Sequence, residues 1–358
     1  MAVEPFHVKG KSKCELEGFF LRLGEPAFRA KQMMEWIYQR DVADFTEIPV
    51  FGKGLRETLQ MKARIGRLAL IERMIDQETG AIKLLLGLDD GEQAECVLLS
   101  YRYGLTVCIS TQVGCRMACR FCASAGRGLA RNLDAGEMID QVLATRRYNP
   151  AGGGLPTRIV LMGTGEPLDN YDQSLALIRL AGDPSALGIS LRRITLSTCG
   201  LVPGILRLAE ERLPITLAVS LHAPRDETRS SLVPVNRRYP IRELLDACRI
   251  YARKTGRRIT FEYLLLKGIN DSRADARLLA EQLRELPSHV NLLLYNRVDA
   301  LQKNSASFES PSRPEAESFQ RELEMLGVGC TIRRSLGVEI EAACGQLRRR
   351  AAARGEGT

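Results

Sequence analysis

Three cysteines, Cys115, Cys119 and Cys122, stand in the stretch Val-Gly-Cys-Arg-Met-Ala-Cys-Arg-Phe-Cys-Ala. Cysteine thiolates hold iron–sulfur clusters, normally four of them around a [4Fe–4S] cube. The C-x3-C-x2-C run supplies three, so one iron is left without a protein partner. An open metal position can bind a substrate or cofactor, as it does in catalytic metal centres. The competing reading is a structural zinc knuckle, which takes four Cys or His ligands, commonly in pairs. No second pair lies nearby, and the histidines are His7, His222 and His289. The spacing therefore points to a cluster with metal ligands Cys115, Cys119 and Cys122.

Other residues could do chemistry beside it. Gly163-Thr164-Gly165-Glu166-Pro167 follows the apolar run Ile159–Met162. Glycines after a strand let a ligand approach the backbone, and Glu166 can accept a hydrogen bond from an amino group. Alone, the pattern reads equally well as a turn. Ser197, the run Ser220-Leu221-His222, and Asn296 each end an apolar segment. Each is also a residue type that turns favour; their shared position at segment ends argues for one pocket. Cys108 and Cys344 stand apart from the trio, and a buried small hydrophobe is the common fate of such a residue. Spacing gives no ground for pairing them. Glu95, read alone, is a solvated charge on a hairpin.

The elements that must position these residues alternate. From about residue 104, strands are predicted at Thr106–Ser110, Arg158–Met162, Arg193–Ser197, Thr216–Leu221, Thr260–Leu265 and Val290–Tyr295. Helices are predicted near 136–148, 171–181, 204–210, 240–254, 272–286 and 314–326. Apolar strands alternating with helices indicate parallel βαβ units, so the fold class is α/β, a partial (β/α)6 barrel. Chemistry in such folds gathers at the carboxyl ends of the strands, where the cysteine loop falls. Residues 1–95 read differently: helices at Lys31–Arg40 and Gly54–Met61, then strands Ile82–Leu88 and Ala94–Ser100 around Asp89-Asp90-Gly91, a hairpin signal. The domain expectation is a small N-terminal helical module with hairpin (1–95), the barrel (96–347) and a disordered basic tail (348–358).

Composition agrees with a globular chain. It has 358 residues, 45% of them hydrophobic, and no apolar run of about 18 or more residues that would cross a membrane. Its start carries no secretory pattern, so the expected location is cytoplasmic. The ten cysteines then read as reduced thiols or metal ligands rather than a disulfide framework. Cys14, Cys96, Cys199, Cys248 and Cys330 read as ordinary small residues. The net charge of +8 and pI near 9.0 suit a polyanionic partner such as RNA.

The motifs together resemble a known family. Cys108-Ile-Ser-Thr-Gln-Val-Gly-Cys-Arg-Met-Ala-Cys-Arg-Phe-Cys-Ala-Ser, Arg131-Asn132-Leu133, Met162-Gly-Thr-Gly-Glu-Pro-Leu-Asp-Asn-Tyr-Asp, Ser220-Leu-His-Ala-Pro and Ile340-Glu-Ala-Ala-Cys-Gly-Gln-Leu closely resemble the RlmN/Cfr family of radical S-adenosylmethionine (SAM) RNA adenine methyltransferases. The likeness runs from Gly24-Glu-Pro-Ala-Phe-Arg-Ala30 to Leu347. It implies a radical SAM barrel, a [4Fe–4S] cluster and two SAM molecules per methyl transfer. One SAM methylates Cys344. The second is cleaved reductively to a 5′-deoxyadenosyl radical that takes a hydrogen from the S-methyl group, and the resulting carbon radical adds to an adenine carbon. Such a route suits ring carbons without a nucleophilic lone pair. Cys108 matches the resolving cysteine, which forms a transient disulfide with Cys344, and Glu95 matches the proton acceptor. Gly165, Glu166, Ser197, Ser220, Leu221, His222 and Asn296 match the SAM contacts. Implied partners are 23S ribosomal RNA before full subunit assembly, transfer RNA and a flavodoxin-like electron donor.

The chain departs from the family pattern at Cys199 in Leu-Ser-Thr-Cys-Gly, at Leu294-Tyr295-Asn296, and in the loop Asp299–Arg313. Pro167 in the glycine motif favours methylation at C2; Tyr295 points weakly towards C8. The alternatives left open are C8 methylation of the same adenine, which would bring antibiotic resistance, and a non-catalytic zinc-knuckle RNA-binding protein.

Overall fold

A computed structural model describes residues 5–126, 128–152, 154–296, 308–334, 336–343 and 345–347. The expectations for Cys344, for the loop over Asp299–Ser307 and for the tail 348–358 lie outside the described residues.

The chain opens with strand β1 (Phe6–His7), helices α1 (Lys13–Arg22), α2 (Arg29–Met34) and α3 (Lys53–Lys62), and strand β2 (Ala63–Arg64), which pairs with β1. Helix α1 has no counterpart in the sequence expectation, although its capping box, Ser12 with Glu15, is a legible start signal. The helix predicted over Lys31–Arg40 begins at Arg29, and its second half, Glu35–Gln39, widens into a π-helical turn.

Three antiparallel strands follow: β3 (Ala69–Ile75), β4 (Ile82–Gly87) and β5 (Gln93–Tyr101). β3 alternates too weakly to read, since most of its residues are partly or fully exposed. β5 then pairs with β6 (Gly104–Cys108), where the parallel part begins. A small ribbon, β7 (Gln112–Gly114) with β8 (Leu129–Asn132), brackets the cysteine loop. Next come α4 (Ala135–Arg147), β9 (Arg158–Leu161), α5 (Tyr171–Gly182), β10 (Ile194–Thr198), α6 (Val202–Glu210), β11 (Thr216–Ser220), α7 (Asp226–Leu232), α8 (Ile241–Thr255), β12 (Ile259–Leu265), α9 (Arg273–Leu283), β13 (Ser288–Leu294), α10 (Arg313–Met325) and β14 (Cys330–Ile332).

All strands from β3 to β14 except β7 and β8 form one ten-stranded sheet, in the order β14-β13-β12-β11-β10-β9-β6-β5-β4-β3. The hairpin is thus continuous with the parallel strands. Residues of β5, β6 and β9 to β13 line a single cavity, which a flat sheet could not do, so the sheet curls into a partial barrel. Six strand–helix units start at β6, and β14 adds a seventh parallel strand at the open edge. It is only three residues long, which is why periodicity missed it.

The N-terminal helices share the core of the barrel. Leu16, Phe20, Met33, Met34 and Ile48 belong to the same buried cluster as Met138, Ile139 and Val142 of α4. Gly10 and Gly136 meet so closely that a Cβ on Gly10 would stand 2.4 Å from the Gly136 nitrogen. Beneath this contact Asp140 accepts from Lys9 Nζ at 2.5 Å, from Arg147 at 2.8 Å and from the Leu68 amide at 2.7 Å, and Arg147 also holds Asp41. Burial pushes the Asp140 carboxyl up, but the two cations and their hydrogen bonds outweigh it and hold the group below the usual carboxylate range. No helix among the described residues is long and apolar enough to cross a membrane.

Candidate active site

The cysteine loop hangs from the carboxyl end of β6, held on both sides. Its entrance needs glycine: Gly114 has φ +80, and a Cβ there would fall 1.8 Å from the Gly128 oxygen. Gln112 spans to the next loop, accepting from the Glu166 amide at 2.8 Å and donating to Asn132 and Asp169. Arg116, next to Cys115, closes a two-pronged pair with Asp169 at 2.9 and 2.5 Å. The loop and the Gly-Thr-Gly-Glu-Pro turn are therefore tied together by side-chain bonds.

Cys115, Cys119 and Cys122 line one end of a cavity of about 390 Å³. Burial pushes the Cys115 thiol up to about 12 and Cys119 well above its ordinary range. In the bare protein these would be thiols, and a bound metal is what would make them thiolates. Among the described residues no group of three or more His, Cys, Asp or Glu side chains could hold a single metal ion. Three thiols spaced around a cavity end suit a multi-iron cluster, in which each thiolate takes its own iron. The donor set fits that group.

Of the sequence-predicted SAM contacts, Gly165, Glu166, Ser197, Ser220, His222 and Asn296 line the same cavity. Leu221 does not; its side chain is fully buried in the core, and only its backbone faces a neighbour of the site. Gly165 has φ +113 and packs against Thr111 and Gln112, so the turn depends on glycine. Glu166 is buried, and its two oxygens accept the amides of Leu168 at 3.0 Å and Cys199 at 2.8 Å. Burial raises its carboxyl above the usual range despite these bonds. His222 also sits at a left-handed φ of +58. Its Nδ1 accepts the Leu264 amide at 3.0 Å, so Nε2 carries the proton. Burial, with Arg229 nearby, lowers it to about 3, keeping the ring neutral. The set offers a carboxylate, two hydroxyls, an amide and an imidazole N–H, the partners an amino acid with a ribose requires.

Arg229 was missed from sequence. Fully buried, it donates to the carbonyls of Leu221 at 3.1 Å, Cys199 at 2.7 Å and Ser220 at 3.1 Å, and to Asn236 at 2.7 Å. It pins the ends of β10 and β11 where the candidate contacts sit. Cys199, read as an ordinary small residue, is buried in a small core cluster and also borders the cavity. Cys96, Cys248 and Cys330 are buried away from it, and Cys14 is exposed. Glu262 and Asn291 also line the cavity and are bonded to each other at 2.9 Å. Period-2 alternation along β12 and β13 was the signal that could have marked them as inward-facing.

Glu95 differs from its isolated reading as a solvated charge: it is 1% exposed and paired with Lys83 Nζ at 3.2 Å. Cys108 ends β6, lines the cavity, and packs with Ile340, Ala342 and Leu347 of a C-terminal strap, of which residues 336–343 and 345–347 are described. The strap is fastened to the cysteine loop at two points. The Ala123 amide donates to the Gly345 oxygen at 2.8 Å, and the Ser124 hydroxyl to the Leu347 oxygen at 2.7 Å.

Comparison with known proteins decides the family. The model of the radical SAM superfamily matches residues 109–279, and that of the ribosomal RNA large subunit methyltransferase N-terminal domain matches 8–65. A probable dual-specificity RNA methyltransferase RlmN from Pelotomaculum thermopropionicum is 48% identical over 98% of this chain and 93% of that protein. The chain belongs to the RlmN family of radical SAM methyltransferases. A second RlmN relative, from Desulforudis audaxviator, is 50% identical over 89% of this chain and 98% of its own length. The crystal structure of a radical SAM methyltransferase from Sphaerobacter thermophilus superposes with a TM-score of 0.89 at 44% identity, covering 96% of this chain and 99% of that one. As an RlmN family member the protein is a SAM-dependent methyltransferase whose cofactors are a [4Fe–4S] cluster and SAM. The zinc-knuckle alternative falls with this membership.

Proposed function

We propose that the protein methylates the C2 carbon of an adenine in 23S ribosomal RNA, and in transfer RNA as well, through a methyl group carried on Cys344. The observation that carries this reading is the strap. Residues on both sides of position 344 line the cavity that also holds Cys108 and the three cluster cysteines. The described neighbours of Cys344, the candidate resolving thiol Cys108 and the candidate cluster cysteines thus border one enclosure, which supports the reading.

The cluster and SAM, when bound, supply the one-electron chemistry that a carbon–hydrogen bond demands. Cys115, Cys119 and Cys122 hold the cluster. Glu166 receives the amino group of SAM, and Ser197, Ser220, His222 and Asn296, with the backbone of Gly165, hold the rest; Leu221, which does not line the cavity, only anchors the end of β11 through Arg229. Cys344 delivers the methylene carbon to the ring. Glu95 removes the ring proton. Cys108 attacks the Cys344 sulfur, releasing the methylated RNA and leaving a disulfide that an external reductant reopens. The walls of the site keep stray hydrogen-atom donors and dioxygen from a carbon-centred radical.

The N-terminal module docks the RNA. In support, its surface presents Phe28, Leu21 and Met61 at 57, 62 and 75% exposure, with the Arg29 guanidinium 5.2 Å from the Phe28 ring. Unpaired bases stack on such aromatic and guanidinium planes. The enzyme works in the cytoplasm on RNA not yet packed into a full subunit, with a flavodoxin-like protein as electron donor. Mass-spectrometric mapping after incubating reconstituted enzyme with ribosomal and transfer RNA tests this: a methyl group on adenine C2 is expected, and one on C8 would overturn the position.

A further inference from the structure

Lys83 has no place in the mechanism above, yet it is 2% exposed on β4. Its nitrogen stands 3.2 Å from Glu95 Oε1 and donates to the Glu341 carbonyl at 2.9 Å and the Ile340 carbonyl at 3.3 Å. Strand register explains the convergence. Lys83 pairs with Val97, and Val97 pairs with Cys108, so the three form one row across β4, β5 and β6. Glu95 lies two residues from Val97 on the same face of β5. The strap crosses this row, its Ile340 and Ala342 packed on Val97 and Cys108. Glu341, whose carbonyl Lys83 holds, has a φ of +50, a conformation a non-glycine residue keeps only when its surroundings enforce it. The turn closes on itself through Ala342 N to Gly337 O at 2.8 Å and Glu341 N to Val338 O at 3.1 Å.

We propose that Lys83 is a positioning residue whose buried ammonium ties Glu95 to the left-handed turn of the strap, setting the proton acceptor and the methyl-carrying segment in fixed relation above Cys108. The functional sense of this rests on the roles given to Glu95 and Cys344 above. A lysine deep in the protein is costly to desolvate, and an apolar pair of similar volume would often be as stable. What the ammonium adds is geometry: it holds two carbonyls of one segment and the carboxylate of another strand on a single point. A misplacement of about 1 Å at a reacting centre is enough to lower a rate about a hundredfold.

The test uses full-length protein carrying Lys83→Met, Lys83→Arg, and the double change Lys83→Met/Glu95→Leu, which removes both charges so that no lone carboxylate is buried. Hydrogen exchange is read on apoprotein at the amides of residues 338–343 and, as reference, on β5 and β6. Methyl loading of Cys344 and RNA product are read on reconstituted enzyme. In Lys83→Met and in the double variant the strap amides should exchange roughly tenfold faster or more, with β5 and β6 unchanged. In Lys83→Met iron uptake should hold while RNA product falls about tenfold or more. Lys83→Arg should recover most of the strap protection. Strap exchange at the wild-type rate in both charge-removed variants would overturn the inference, whatever the RNA result. Wild-type enzyme that modifies no adenine would overturn the proposed reaction and leave the exchange difference standing.

Discussion

The amide of Ala123, the residue after the third cluster cysteine, donates to the carbonyl of Gly345 at 2.8 Å. One hydrogen bond thus joins the loop that would hold the cluster to the strap in whose sequence Cys344 lies, two segments far apart along the chain. With Ser124 bonded to Leu347, the cysteine loop and the described residues that flank position 344 are tied to each other directly rather than through the barrel wall.

The cluster assignment can be read without activity. Replacing Cys115, Cys119 or Cys122 singly by Ala should abolish the broad visible absorption and most of the iron after anaerobic reconstitution. Cys199→Ala, whose thiol faces the same cavity, should keep both. Iron retained by Cys119→Ala, or lost from Cys199→Ala, would contradict the ligand set.

Glu166 makes two bonds to backbone amides, at Leu168 and Cys199. In Glu166→Gln one acceptor oxygen becomes an NH2 group facing an N–H, a clash worth about 1–3 kcal/mol. SAM affinity measured by equilibrium dialysis should fall about tenfold or more, while the cluster still assembles. Unchanged SAM affinity would remove Glu166 from the amino-group site.

Cys108→Ala should load a methyl group on Cys344, cleave SAM, and then stall with RNA covalently attached. Denaturing gels with labelled RNA should show a slow band that reduction does not clear. Cys344→Ala should show none. Normal turnover by Cys108→Ala would eliminate its role as resolving thiol.

Asp140 joins the N-terminal helices to the barrel. Asp140→Ala leaves Lys9 and Arg147 facing an uncompensated buried site, at about 3–5 kcal/mol, measurable by urea denaturation at neutral pH. The pH dependence follows from the lowered carboxyl. With a folded value below the unfolded one, its contribution is full above the ordinary 3.8 and is lost as pH falls through the folded value. The gap between wild type and Asp140→Asn should therefore narrow below about pH 4. Because the two parts share one core, deleting residues 1–90 should also destabilise the barrel. Surface changes such as Phe28→Ala, read by RNA binding, separate docking from folding.

Much of the candidate site was legible in sequence because its residues are local. Cys115, Cys119 and Cys122 sit within one loop, and Gly165 with Glu166 within one turn, so spacing alone brings them together. The alternation of apolar strands and amphipathic helices fixed the parallel α/β barrel for the same reason: each unit is read within its own thirty-odd residues. Tertiary structure decided what depends on crossings between distant segments. Glu95 reads as a solvated hairpin charge until the fold buries it against Lys83 of β4. Lys83 and Arg229 look like surface cations until the carbonyls they hold arrive from elsewhere in the chain. The weakly alternating β3 and the three-residue β14 are strands only because the neighbouring edge supplies their hydrogen bonds. Periodicity records which face of an element is buried; it holds no record of which distant backbone will lie against that face.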